Sequence, residues 1–238
     1  MKKIIFFFIF PFLSFAQLSP EVNSLYQELS KNERYEGKYI GFSGEESKIY
    51  NAFQKIDILA SDDEMEYIAS NGNTMAKAYA GKILFGRKSD KFLKIYDLFL
   101  KNNNQIKIIS GCTGYDSFLA DEIYRRVFEE KNVITQARAF KEYKDSILTS
   151  KTLPHGFDKD ILEEFKTETK WNNSEIDSLL LKMEKAILKD ENSSQSLVEL
   201  VCEYNFYTEQ KKPYYKNLLY FEKKYNSEII KQYIDYCK

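Results

Sequence analysis

Between Ile49 and Leu100 apolar residues recur in steps of three and four, and that period constrains the fold more than any other feature of the chain. Ile49, Ala52, Phe53, Ile56, Leu59 and Ala60 draw one stripe along a helix. Ser61-Asp62-Asp63-Glu64 then has the form of a capping box, in which the serine accepts from an early orphan N–H and the glutamate reaches back to the cap. Met65, Ile68 and Ala69 line a short second helix, which Asn71-Gly72 ends with residues that tolerate positive φ. Thr74 or Asn73 restarts the helix, with Met75, Tyr79, Ala80, Ile83 and Leu84 on one face, and Gly86 closes it. Ser89 or Asp90 caps the next, which carries Phe92, Leu93, Tyr96, Phe99 and Leu100. The small residues Ala76, Ala78, Ala80 and Gly81 allow a neighbouring helix to come close, where a surface helix would carry Lys or Glu.

The succession of short helix, Asn-Gly turn and a second helix bearing Lys77, Tyr79, Ala80 and Leu84 resembles HEAT-like repeats. The resemblance is degenerate and covers roughly residues 45–128. It implies an α-solenoid of stacked helical hairpins, an architecture that mostly binds proteins. The alternative is an irregular all-α domain without a true repeat. Nine glycines and four prolines in 238 residues agree with either, because sheets and hairpins need turn chemistry that is scarce here.

The amino terminus carries an address. Met1-Lys2-Lys3 is a basic start, residues 4–13 are apolar, and Ser14-Phe15-Ala16 places small residues at the two positions read in cleavage. This is the layout of a signal peptide over residues 1–16, cut before Gln17. Residues 4–16 are shorter than the ~20 apolar residues of a spanning helix, and Pro11 interrupts them. No cysteine follows the cut, which argues against a lipoprotein anchor. The expectation is an exported, bacterial chain (periplasm, envelope or secreted) with no integral membrane segment once the signal is gone. Loss of Lys2 and Lys3 takes the 35 basic residues to 33 against 36 acidic ones, a net charge of −3, which gives no reason to expect nucleic acid as a partner.

Elsewhere Ser19-Pro20 opens a short helix with Val22, Leu25, Tyr26 and Leu29. Gly37, Gly41 and Gly44 form the densest glycine in the chain. They read as a connecting loop, since no Lys-Ser/Thr pair follows in phosphate-loop spacing. Asn102-Asn103-Asn104 is a turn, and Ile106, Ile108 and Ile109 lead into Gly111-Cys112-Thr113-Gly114. A helix with Leu119, Ile123, Val127 and Phe128 ends near Asn132, another runs over residues 137–148, and residues 152–156 form a linker. The expected division is therefore a HEAT-like region over residues 17–150 and a Tyr-rich helical region over residues 157–238, the latter a carboxyl-terminal bundle. In it Ser174-Glu175-Ile176-Asp177 resembles another capping box and Asn226 or Ser227 caps the last helix. Tyr204, Tyr207, Tyr214, Tyr215, Tyr220, Tyr225, Tyr233 and Tyr236 crowd this region; helical packing explains them better than glycan or peptide stacking.

Chemistry-bearing residues are few. Cys202 and Cys237 fall on separate helices of one block and are candidates for a bridge that sequence spacing does not decide. Cys112 is either a reactive thiol or a small buried residue. A Cys-His hydrolytic site would have to join Cys112 to His155, the only histidine, with Asp158 or Asp160 behind it, and no nucleophile motif surrounds Cys112. No two ligands show metal spacing, and the acidic runs at residues 62–64 and 163–164 suit helix starts and solvated faces. No catalytic, cofactor-binding or metal residue is therefore expected, and no cofactor. The sequence favours an exported, non-enzymatic all-α protein that binds an unknown protein partner. The alternatives are an envelope hydrolase near Cys112 or His155, and a glycan- or peptide-binding module using the Tyr-rich end.

Overall fold

The computed structural model describes residues 18–149, 169–206 and 215–238. In chain order the elements are α1 (Pro20–Leu29), β1 (Arg34–Ile40), β2 (Glu45–Glu46), α2 (Lys48–Leu59), α3 (Asp62–Asn71), α4 (Thr74–Gly86), α5 (Phe92–Lys101), β3 (Gln105–Gly111), β4 (Thr113–Phe118), α6 (Leu119–Thr149), α7 (Asn173–Lys189), α8 (Gln195–Phe206), α9 (Tyr215–Tyr225) and α10 (Glu228–Cys237).

The four strands overturn the all-α expectation, the HEAT-like solenoid of stacked hairpins included. They form one mixed sheet in the order β2-β1-β3-β4, so the protein is a mixed α/β fold. β1 and β3 run parallel, Tyr35 opposite Ile108, while β2 and β4 pair antiparallel at the flanks. The glycine-rich stretch read as a loop is in fact a strand and its turn. Gly37 lies within β1, where an added Cβ would meet Ser110 Oγ at 2.9 Å, and Gly41 and Gly44 take φ of 74° and 68° between β1 and β2. The β3–β4 hairpin is equally economical. Ser110 pairs with Thr113, and Gly111 at φ 55° takes the first place of the two-residue connection, the position where a tight hairpin needs glycine. Ile106 and Ile108 are buried and Gln105 and Lys107 exposed, the period of two that marks a half-buried strand.

Most of the expected helices are present, with several ends placed differently. Ser61 and Glu64 form the capping box, and Glu64 Oε1 also accepts from the Ser19 backbone N–H at 2.7 Å, tying α1 to α3. Asn73 caps α4, Asn172 rather than Ser174 caps α7, and Ser227 caps α10. Gly72 keeps φ at −70°; closeness explains the glycine, because a Cβ there would lie 2.7 Å from the Ile68 carbonyl oxygen. Gly86 remains helical and Lys88, at φ 57°, makes the left-handed turn. α6 passes through Asn132 without a break, and the expected linker at residues 152–156 lies outside the described residues.

α4 is the central helix: nine of its thirteen residues are buried. The small-residue run does allow close approach, since a Cβ on Gly81 would stand 2.9 Å from Phe99 of α5 and 3.1 Å from Ile123 of α6. On its other side α4 meets the sheet through Tyr79. The Tyr79 hydroxyl accepts from the Glu36 backbone N–H at 3.0 Å and donates to the Glu36 carbonyl at 2.8 Å. The Tyr79 ring stacks on Phe53 at 4.4 Å and lies 4.3 Å from Tyr35. One apolar core runs from Val22 to Ile234, joining the sheet-bearing half to α7–α10. Among the described residues no helix is long and apolar enough to cross a membrane.

Candidate functional site

One turn beyond Ala78 on α4, Lys82 projects from a mostly apolar helix into the gap between the inner face of the sheet and α6. Its ammonium donates to the Tyr35 hydroxyl at 3.1 Å and lies 5.9, 5.7 and 5.6 Å from the ring centroids of Tyr35, Tyr50 and Phe53. Among the described residues it forms no ion pair with a carboxylate. Ring faces replace only part of the hydration an ammonium loses on burial. Burial first, and then the positive charge of Arg126, lower its pKa from 10.5 to about 8.

Lys82 and Arg126 each line two cavities. The first, about 320 Å³, opens among β1, β3, β4, α4 and α6, with Tyr35, Ile106, Ile108 and Tyr115 as its walls. Lys38, Lys82, Arg125 and Arg126 line it against only two carboxylates, Glu122 and Glu129. The second, about 240 Å³, is bounded by Phe53, Phe85 and Trp171, with Lys82, Arg87, Arg126 and Lys170 against Asp57 and Glu130. In a chain whose net charge is −1, both cavities carry a local excess of positive charge.

α6 delivers Glu122, Arg125, Arg126, Glu129 and Glu130 within little more than two turns. Glu122 Oε2 accepts from the Tyr115 hydroxyl at 3.4 Å, and its Oε1 lies 3.5 Å from Arg125 Nε, an ion pair without hydrogen-bond geometry. Burial raises the Glu122 carboxyl pKa. Arg126 reaches Glu130 at 3.2 Å and Glu129 at 3.6 Å, while its Nε finds no partner among the described residues. The buried Trp171 Nε1–H beside the second cavity is also without one, and the Trp171 ring stacks on Phe85 at 5.1 Å. Such an arrangement can hold a negatively charged group with an apolar body: cations and N–H donors for the charge, rings and isoleucines for the rest.

The residues singled out from sequence lie elsewhere. Cys112 is exposed in the β3–β4 connection, its thiol 3.4 Å from the Gly41 carbonyl oxygen, and lines neither cavity. His155, Asp158 and Asp160 lie outside the described residues, so no Cys-His pair is assembled among those described. No group of three or more His, Cys, Asp or Glu among the described residues could hold a metal ion. Cys202 is buried and Cys237 partly buried, both as free thiols, and burial raises the pKa of Cys202 strongly. Of the carboxyl-terminal tyrosines, Tyr233 is core, Tyr204 stacks on Phe128 at 3.9 Å and Tyr225 donates to the Ser193 carbonyl; Tyr207 and Tyr214 lie outside the described residues.

Sequence reasoning passed over Lys82, Arg126 and Tyr35. One signal was present: Lys82 stands where the apolar face of a buried helix continues, four residues after Ala78. Its hydrogen-bond partner Tyr35 comes from a strand in a stretch whose glycines suggest a loop, while Tyr50 and Phe53 come from α2 and Arg126 from α6. Comparison of the chain with family models, with curated proteins and with solved structures gives no match in any of the three.

Proposed function

We propose that this chain is an exported binding protein without a reaction of its own, and that the cleft over Lys82 receives an anionic group carried on an apolar or aromatic body. The export part rests on the signal layout of residues 1–16. The observation that carries the binding part is Lys82 itself, a partly buried ammonium without a carboxylate partner among the described residues, lining two cavities with excess positive charge. A buried cation lacking a counter-ion costs stability, and an incoming carboxylate or phosphate supplies the missing charge.

Trp171, the single tryptophan, lines the second cavity and reports on it. Titration with phenyllactate or phenyl phosphate is expected to change Trp171 fluorescence saturably, with Lys82→Met abolishing the response. An unchanged signal with both anions, or an equal response in Lys82→Met, contradicts this reading.

A protein partner is the second reading, favoured by Phe42 at the tip of the β1–β2 turn, which is 99% exposed. Crosslinking capture from envelope extract with wild type and Phe42→Ser tests it. Retention of the same protein by both variants counts against this turn as the contact.

A further inference from the structure

We propose that Lys82 captures a 2-oxo acid with an apolar body as a reversible imine within this cleft. The inference rests on the anion-binding reading and adds a covalent bond to it. The placement of Lys82 carries the argument. A carbonyl carbon joined to an amine still bears two substituents, and Lys82 is the amine that borders both cavities, one of about 320 Å³ and one of about 240 Å³. One cavity can take the carboxylate and the other the body. Arg126 borders both cavities as well, so the acid group meets a cation on either side. The only hydrogen bond Lys82 makes among the described residues is to the Tyr35 hydroxyl, at 3.1 Å. Its remaining hydrogens and, once deprotonated, its lone pair are uncommitted there.

Charge supports the same conclusion. The groups that act on Lys82 are Tyr35 of β1, Tyr50 and Asp57 of α2, and Arg126 and Glu129 of α6. Burial and Arg126 outweigh the two carboxylates, and the amine titrates at about 8 instead of 10.5. At neutral pH a far larger share of it is then neutral than of an ordinary lysine. A desolvated lysine beside a second cation is a recognised form of activated amine.

The step balances without an oxidant or a reductant. The neutral amine attacks the carbonyl carbon; the C–N bond forms as the C=O π bond opens, and the nitrogen passes a proton to the oxygen to give a carbinolamine. Loss of that hydroxyl with one proton releases water and leaves the imine, and water reverses the reaction. Protonated, the imine keeps the single positive charge of Lys82 next to the carboxylate of the ligand. The Tyr35 hydroxyl, whose pKa is raised by burial and which therefore keeps its proton, stands within reach of the nitrogen.

The test pairs phenylpyruvate with phenyllactate, which share ring and carboxylate and differ in the carbonyl. Each is incubated with the protein, borohydride is added to reduce any imine, and the modified lysine is mapped by mass spectrometry. The expected result is one adduct with phenylpyruvate, at Lys82, formed about tenfold faster than at any other lysine because the larger neutral fraction outweighs the lower basicity. None is expected with phenyllactate. Lys82→Arg keeps a cation but offers no nucleophilic amine, and should lose the adduct while circular dichroism shows the fold retained. Phenyllactate bound without a phenylpyruvate adduct overturns the imine and leaves the anion site standing. Failure of both acids to bind overturns both. Adducts spread evenly over surface lysines also overturn the imine.

Discussion

Two charged residues flank Tyr79, and they have opposite surroundings. Glu36, on β1, is 3% exposed and fully occupied: Ser47 Oγ donates to its Oε2 at 2.6 Å, Arg34 Nε to its Oε1 at 2.6 Å, and its backbone holds both ends of the Tyr79 hydroxyl contact. Lys82, three residues beyond Tyr79 on α4, has one phenol and three ring faces, and borders two cavities. A buried charge whose partners account for it holds a fold together. A charge left without a counter-ion beside open volume lowers stability, and that cost is explained when something else arrives to meet it.

The comparison can be broken first at Glu36. Glu36→Ala removes the acceptor shared by Ser47 and Arg34 and opens a cavity beneath β1; we expect a loss of about 3 kcal/mol in chemical denaturation. Arg34 is half exposed, which limits the loss. Tyr79→Phe comes next. It strips the Glu36 N–H and C=O of their shared partner while keeping the ring in its stack on Phe53, at an expected cost of about 2 kcal/mol. Lys82→Met should have the opposite sign. The methionine keeps an apolar stem against Tyr35 and Phe53 and removes the unpaired ammonium, raising stability by about 1 kcal/mol while anion binding is lost. If Lys82→Met destabilises as Glu36→Ala does, the two residues are alike and the distinction fails.

The distinction can also be sharpened by titration. The folded protein holds the Lys82 proton with a pKa of about 8 and the unfolded chain with one near 10.5. Between those values the unfolded chain binds more protons, so stability rises with pH there, and the penalty of the buried charge is complete only below about pH 8. The stability difference between wild type and Lys82→Met should therefore be largest below pH 8 and fade towards pH 10.5. Tm measured for both proteins across that range checks it, and a constant difference would count against a depressed lysine.

The helices were legible because their signals are local. The stripe from Ile49 to Ala60 and the Ser61/Glu64 box each specify a structure within a few residues of themselves. The sheet was less so. β1 combines Tyr35, Tyr39 and Ile40 with Glu36 and Gly37, and its identity depends on pairing with β3 about seventy residues later, a contact no local pattern announces. The alternation of Gln105, Ile106, Lys107 and Ile108 was a strand signal outweighed by the expectation of helices around it. The site followed the sheet. Lys82 could be seen as a cation among alanines, but the features that distinguish it, Tyr35 above and Arg126 beside, arrive from a strand and a helix remote in sequence. Cys112 and His155 drew attention because cysteine and histidine are scarce, and scarcity alone places no partner next to a residue.

The central claim, that Lys82 is a desolvated ammonium kept for an anion, is tested most directly by following its ζ-nitrogen by NMR across pH, with and without saturating phenyllactate. The account predicts titration at about pH 8 in the free protein and a marked upward shift with the acid bound, since a carboxylate beside the nitrogen favours its charged form. Titration near 10.5 in both samples would contradict it.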